Sequence, residues 1–221
     1  MIGLLALLSL IQAPRVEGTF VIQIDTLEVG RETYTLASGR LASGNTGWTL
    51  SATTRYDRVR PVIVLAPTIE ISADSQPISL QFDVANPREP SRVLGQLGRD
   101  RYTVRIVART SERAREFPVH PPVVVLDDSV FALFEIASWF AGPRPVTLTA
   151  VVARAPRRET LTLTDVGSDS TVVNRRATRL RHVTLGGGAN GLVHLWLDEN
   201  GRLVKVEIPS RRLVAERAPS D

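Results

Sequence analysis

Apolar and polar residues alternate one by one along most of this chain. Phe20, Ile22 and Ile24 are interleaved with Val21, Gln23 and Asp25, and a turn near Val29-Gly30 leads to a second such run through Tyr34 and Leu36. Trp48, Leu50, Ala52 and Tyr56 alternate with Thr49, Ser51, Thr53 and Arg55, and Ile78, Leu80, Phe82 and Val84 with Ser79, Gln81 and Asp83. The same period returns at Tyr102–Ala108, at Val146–Val152 and at Leu161–Leu163. Successive side chains of a strand point to opposite faces, so each run predicts a strand with one face on a core and one on solvent. Turn residues separate them: Gly39–Gly47, Asp74-Ser75-Gln76-Pro77, His120-Pro121-Pro122, Gly167–Ser170 and Gly186-Gly187-Gly188. Asn86–Arg101, with two prolines and two glycines, reads as a loop.

The sharpest local signal lies between Gly191 and Pro209, where two alternating runs flank Asn200-Gly201, the pair favoured in a two-residue type I′ hairpin turn. That turn places Leu197 opposite Val204, Leu195 opposite Val206 and Val193 opposite Ile208, which makes one face wholly apolar. On the other face it sets Trp196 opposite Lys205 and His194 opposite Glu207. Cross-strand partners of this kind lie about 5 Å apart. A carboxylate opposite an imidazole is also the arrangement that supports a general base, although charged pairs on strand surfaces are common.

One segment leaves the period of two. Val130, Phe131, Leu133, Phe134, Ile136, Ala137, Trp139 and Phe140 are apolar on nearly every side of a helix predicted over 129–141, with Asp127, Asp128 or Ser129 as its cap and Gly142-Pro143 as its stop. A helix apolar all round is buried against a sheet. Glu135 is expected on its one solvent-facing stripe, and Asp127 and Asp128 are explained by capping. The fold class that follows is mainly β: a curved antiparallel sheet, a half-barrel or open barrel, with one buried helix. Residues 18–221 are expected to form one β-rich domain.

Composition narrows the chemistry. The 221 residues contain no cysteine, which excludes disulfides and thiolate metal sites. The three histidines are scattered, and no metal or cofactor fingerprint is present, so neither metal nor cofactor is expected. Gly186–Gly188 is no phosphate loop, because no Gly-Lys-Ser/Thr follows. The apolar run Ile2–Ile11 within residues 1–17 has the length of a secretory leader and is too short to span a bilayer, which predicts an exported, periplasmic or extracellular protein with no transmembrane helix. Residues 154–182 hold seven arginines against three acidic residues, whereas the rest of the chain is balanced. The aromatic residues are not interleaved with these arginines, which argues against nucleic acid. An anionic lipid or phosphate partner, or protection of sheet edges, fits the cluster.

The leader, the first strands, the helix after Asp127-Asp128 and the closing Leu195-Trp196-Leu197-Asp198-Glu199-Asn200-Gly201-Arg202-Leu203 together resemble uncharacterised secreted bacterial β-rich proteins with the half-barrel of outer-membrane lipoprotein carriers. The resemblance carries no catalytic residues. It implies a curved sheet whose concave side is closed by helix and takes up acyl chains. The expected function is therefore non-enzymatic binding of an apolar or lipid-like ligand in the concave face, with Phe131, Phe134, Trp139, Phe140, His194, Trp196, Lys205 and Glu207 as candidate contacts. The alternatives are a structural or assembly module of the cell envelope with a protein partner, and an enzyme using His194 and Glu207.

Overall fold

In the computed structural model, residues 15–58 and 60–219 are described. The strands are β1 (Arg15–Ile24), β2 (Leu27–Arg40), β3 (Thr46–Tyr56), β4 (Ile63–Ser72), β5 (Pro77–Ala85), β6 (Ser91–Leu97), β7 (Arg101–Ala108) and β8 (Glu112–Pro118). After β9 (Val123–Leu126) comes the helix α1 (Leu133–Ser138), followed by β10 (Val146–Val152), β11 (Arg157–Val173), β12 (Arg176–Gly188), β13 (Gly191–Leu197), β14 (Leu203–Ile208) and β15 (Leu213–Arg217). All fifteen belong to one sheet, ordered β8-β7-β6-β5-β4-β3-β2-β1-β15-β14-β13-β12-β11-β10-β9. Every pairing is antiparallel except β9 with β10, the two strands that α1 connects. This is the mainly β, open antiparallel architecture that the alternation predicts. The leader run lies outside the described residues, apart from Arg15, Val16 and Glu17, which begin β1.

The sheet rolls up because its inner faces share one core. Phe20, Phe82, Tyr102, Val123, Leu148 and Leu195, drawn from strands across the whole sheet, belong to a single buried cluster together with Phe131 and Leu133. The roll does not close by backbone pairing. Its two ends, β8 and β9, are consecutive in sequence yet are not hydrogen-bonded neighbours. Side chains bridge the seam instead: Arg115 Nη1 donates to the Pro156 carbonyl at 3.4 Å and Arg158 Nη1 to the Pro118 carbonyl at 3.2 Å. The Gln76 side chain accepts the Val123 N–H at 3.0 Å.

Four local expectations are corrected. The first hairpin turns at Asp25-Thr26, since Ile24 pairs with Leu27, and Val29-Gly30 lies inside β2 next to a register shift. Asn86–Arg101 is not all loop, for it contains β6; Gly95 there lies against the Tyr102 ring, and a Cβ at that position would come within 2.4 Å of the Tyr102 hydroxyl. β11 continues through Gly167–Ser170, with a bulge at Asp165–Gly167 in place of a turn. The closing hairpin pairs His194 with Glu207, Leu195 with Val206 and Trp196 with Lys205 as expected, but Leu197 pairs with Leu203. Its turn is longer by one residue: Gly201 N donates to the Asp198 carbonyl at 2.9 Å, and Gly201 sits at φ 72°. Val204 is the extra residue, and it joins Trp196 on the outer face.

Candidate functional site

The concave face is occupied by the protein itself. α1 covers six residues, shorter than the 129–141 expected, and single turns on either side extend it from Phe131 to Ala141. Neither Asp127 nor Asp128 caps it. Asp127 is engaged by Arg154, whose Nε and Nη2 donate to the two carboxylate oxygens at 2.7 and 2.6 Å, and Asp128 accepts from Arg157 and from Asn190. The free amides at the start of the helix are met from β2 by Glu32, which is fully buried. Its carboxyl accepts from Phe131 N at 2.9 Å, Ala132 N at 2.5 Å and the Thr54 hydroxyl at 2.7 Å. Burial pushes Glu32 up to about 7 against the pull of these donors. Glu135 is also buried, not turned to solvent. It accepts the Leu203 N–H at 2.7 Å, and burial raises it to about 7.

Phe131 and Phe134 are buried in the core, and Trp139 and Phe140 pack at its margin, with the Trp139 ring 5.7 Å from that of Trp48. The opening bordered by Phe134, Leu126 and Leu185 holds about 20 Å³. That is room for about one water.

A larger recess lies along the seam. Val84, Val93 and Ile106, inward residues of β5, β6 and β7, line it together with the polar Asn86, Glu89, Ser91 and Ser111 and with Arg113 and Arg154, around about 250 Å³. At Arg113 it adjoins a second recess of about 460 Å³ that runs past Val104 and Arg115 to Ala155-Pro156. The pairing of β8 with β7 explains the cations. Arg113 and Arg115 lie opposite the inward residues Ile106 and Val104, so they sit on the concave side of an end strand, where charge discourages pairing with another copy. The Arg154 guanidinium is fixed by Asp127 and lies 5.8 Å from the centre of the Phe82 ring. Apolar side chains beside arginines suit a molecule with a hydrocarbon part and an anionic end.

The other four candidate residues gather on the outer face. The register aligns His182, Trp196, Lys205 and Glu216 in one row across β12 to β15, and Thr184, His194 and Glu207 in the next. His182 stacks on Trp196 with centroids 4.0 Å apart and hydrogen-bonds His194 through Nε2···Nδ1 at 2.9 Å. Burial and the neighbouring His194 lower the pKa of His182, while Asp169 and Glu207 oppose them. Lys205 Nζ lies 3.5 Å from Glu207 and 3.7 Å from Glu216.

The row is roofed by the far half of the β11–β12 hairpin. Beyond the bulge at Gly167, which sits at φ 97°, this arm bends over β13 to β15. Val173 and Leu180 pack on Trp196 and Val204. Lys205 Nζ donates to the Val172 carbonyl at 3.1 Å, and Asn174 Nδ2 to the Arg217 carbonyl at 3.0 Å. The groove of about 990 Å³ beside the arm is bordered by Thr33, Thr35, Ser51 and Thr53, not by His194 or Glu207. Among the described residues no group of three or more His, Asp or Glu is placed to hold a metal.

The structure thus divides the eight candidates between the inside and the outside of the roll. It also adds His182, Asp169 and Glu216 to the outer cluster, and Arg113 and Arg154 to the concave side. Arg113 and Arg115 lie two residues apart and so share one strand face, and the position of β8 at an end of the sheet places that face on the seam.

No family model and no curated protein matches this chain. Among solved structures it is similar to a β-barrel-like protein of the domain of unknown function DUF1849 from Brucella abortus, with 14% identity, a TM-score of 0.57, and coverage of 93% of this chain and 96% of that one. A DUF1089 family protein from Pseudomonas aeruginosa also aligns, with 14% identity over 91% and 95% of the two chains and a TM-score of 0.42. At such identity the first likeness bears on fold alone. It agrees with a barrel-like roll.

Proposed function

We propose that this chain is an exported, non-enzymatic binding protein of the cell envelope that holds a lipid-like, anionic amphipathic molecule in the seam of its open barrel. One observation carries the proposal: the seam sets the apolar side chains of Val84, Val93 and Ile106 beside Arg113, which has no ion pair among the described residues. An apolar ligand beneath α1 finds less support, because the helix side chains already fill that space. Export rests on the apolar run at the start of the chain.

Calorimetric titration with octanoate and with octanol tests the site. The carboxylate is expected to bind at least fivefold more tightly, and Arg113→Gln to remove that preference while leaving the alcohol unchanged, since charge-assisted contacts are the stronger kind. Equal affinity for the two ligands, or no binding of either, would overturn the proposal. Native mass spectrometry of periplasmic protein would then identify the natural occupant.

A further inference from the structure

We propose that the tip of the β11–β12 arm is a docking point for an anionic lipid surface. Four of the seven arginines in residues 154–182 are occupied. Arg154 pairs with Asp127, Arg157 with Asp128 and Glu159, and Arg181 with Asp165, while Arg158 donates to the Pro118 carbonyl. The three that remain, Arg175, Arg176 and Arg179, are exposed and make no ion pair among the described residues. Three unpaired positive charges of the arginine-rich segment are thereby displayed within five residues of one turn.

The turn that displays it is unusual in composition. Asn174 and Arg175 both have left-handed backbones, at φ 48° and 65°. Asparagine tolerates that conformation, but the second position of such a turn is filled most cheaply by glycine. An arginine there argues for selection of its side chain.

The tip is also held in place. Lys205, Glu216 and the Arg217 carbonyl bind Val172, Asn174 N and Asn174 Nδ2 from below, so the arginines project from an anchored platform. Val172 lies one residue from the buried Val173, and its side chain is 56% exposed. Arginines beside an exposed apolar side chain are a combination that suits a membrane interface. A protein partner takes about 800 Å² per side, more than a two-stranded tip offers, whereas each arginine gains from anionic headgroups on its own.

Vesicle flotation of the full chain decides the matter, with phosphatidylglycerol mixed into phosphatidylcholine, compared with phosphatidylcholine alone. The protein is expected to float with the anionic vesicles and to lose about a hundredfold in partitioning when Arg175, Arg176 and Arg179 are all changed to Gln. Arg175→Gly, which relaxes the turn, is expected to lose about fivefold while keeping or raising thermal stability. Equal flotation with neutral vesicles, or partitioning unchanged in the triple variant, would overturn the proposal. Loss of flotation in millimolar inorganic phosphate at constant ionic strength would also overturn it, since that result assigns the arginines to free phosphate.

Discussion

Among the described residues three carboxylates lie buried in the roll, and they stand in different relations to their surroundings. Asp127 has a guanidinium against both oxygens, whereas Glu32 and Glu135 are answered by uncharged donors, so burial raises both toward neutral pH. A carboxyl whose folded value, about 7, exceeds its ordinary value of 4.5 takes up a proton on folding. Its contribution to stability is complete below pH 4.5 and is lost as the pH rises through 7. The slope follows the difference in bound protons, and its integral over this range amounts to roughly 3 kcal/mol per carboxyl. The melting temperature should therefore fall between pH 5 and pH 8, and Glu32→Gln combined with Glu135→Gln should flatten that decline. Superimposable pH profiles for the two proteins would show that these carboxyls do not carry it. Glu32→Ala is a different change. It leaves the amides of Phe131 and Ala132 and the Thr54 hydroxyl without an acceptor, and should cost about 2–4 kcal/mol at pH 5 and less at pH 8, where the buried carboxyl has already lost its contribution.

Among the elements, the arm is fastened apart from the main core. Its apolar hold is Val173 and Leu180 on Trp196 and Val204, a cluster separate from the main core. Trp196→Ala should release it without unrolling the sheet. Hydrogen exchange would then show residues 171–180 losing protection by about two orders of magnitude or more, given about 3 kcal/mol for a deleted large aromatic, with β1 and β14 unchanged. Simultaneous loss of protection in the core strands would show that the arm is not an independent unit. The arm also marks the limit of what the sequence makes legible. Alternation sufficed to place His194 opposite Glu207 and Trp196 opposite Lys205, because a strand's period and a nearby turn nearly fix its register. It could not show that β12 brings His182 onto Trp196, or that β11 continues past a bulge through Gly167–Ser170, since both depend on pairing with partners away from the local sequence. The turn of the closing hairpin slipped by one residue for a local reason: the Asp198 side chain accepts from Asn200 N and Arg202 N, which stabilises the longer turn over the two-residue one. The helix was legible as a buried apolar segment, but its start was not. Its cap is Glu32, about 100 residues away, while the nearby Asp127 and Asp128 are occupied by Arg154 and Arg157. The seam was hidden in the same way, because nothing local shows that β8 ends the sheet.

For the whole molecule, the order of strands has a simple description. Read from β9 through β15, then β1 through β8, each strand's neighbour is the next one along, so the sheet is a meander that the chain enters in the middle. The first and last strands of the described residues therefore pair with each other, β1 with β15, and Ala218 N donates to the Thr19 carbonyl. The two ends of the sheet are joined instead by Val119–Pro122. Every pairing except β1 with β15 spans a short stretch of sequence, and that one closes a loop of nearly the entire domain. Closure entropy grows with the logarithm of loop length, and long-range pairings slow folding. A circular permutant opened at His120–Pro122, with Ala218 joined to Arg15 through a Gly/Ser linker of about eight residues, turns the sheet into a sequential meander. It should keep the native circular dichroism spectrum and fold faster, by up to about a hundredfold if the β1–β15 pairing is formed in the transition state. Stopped-flow refolding measures this directly. An unchanged rate with native structure would mean that the two halves of the sheet fold before β1 and β15 meet, so that the longest loop in the molecule closes after the barrier.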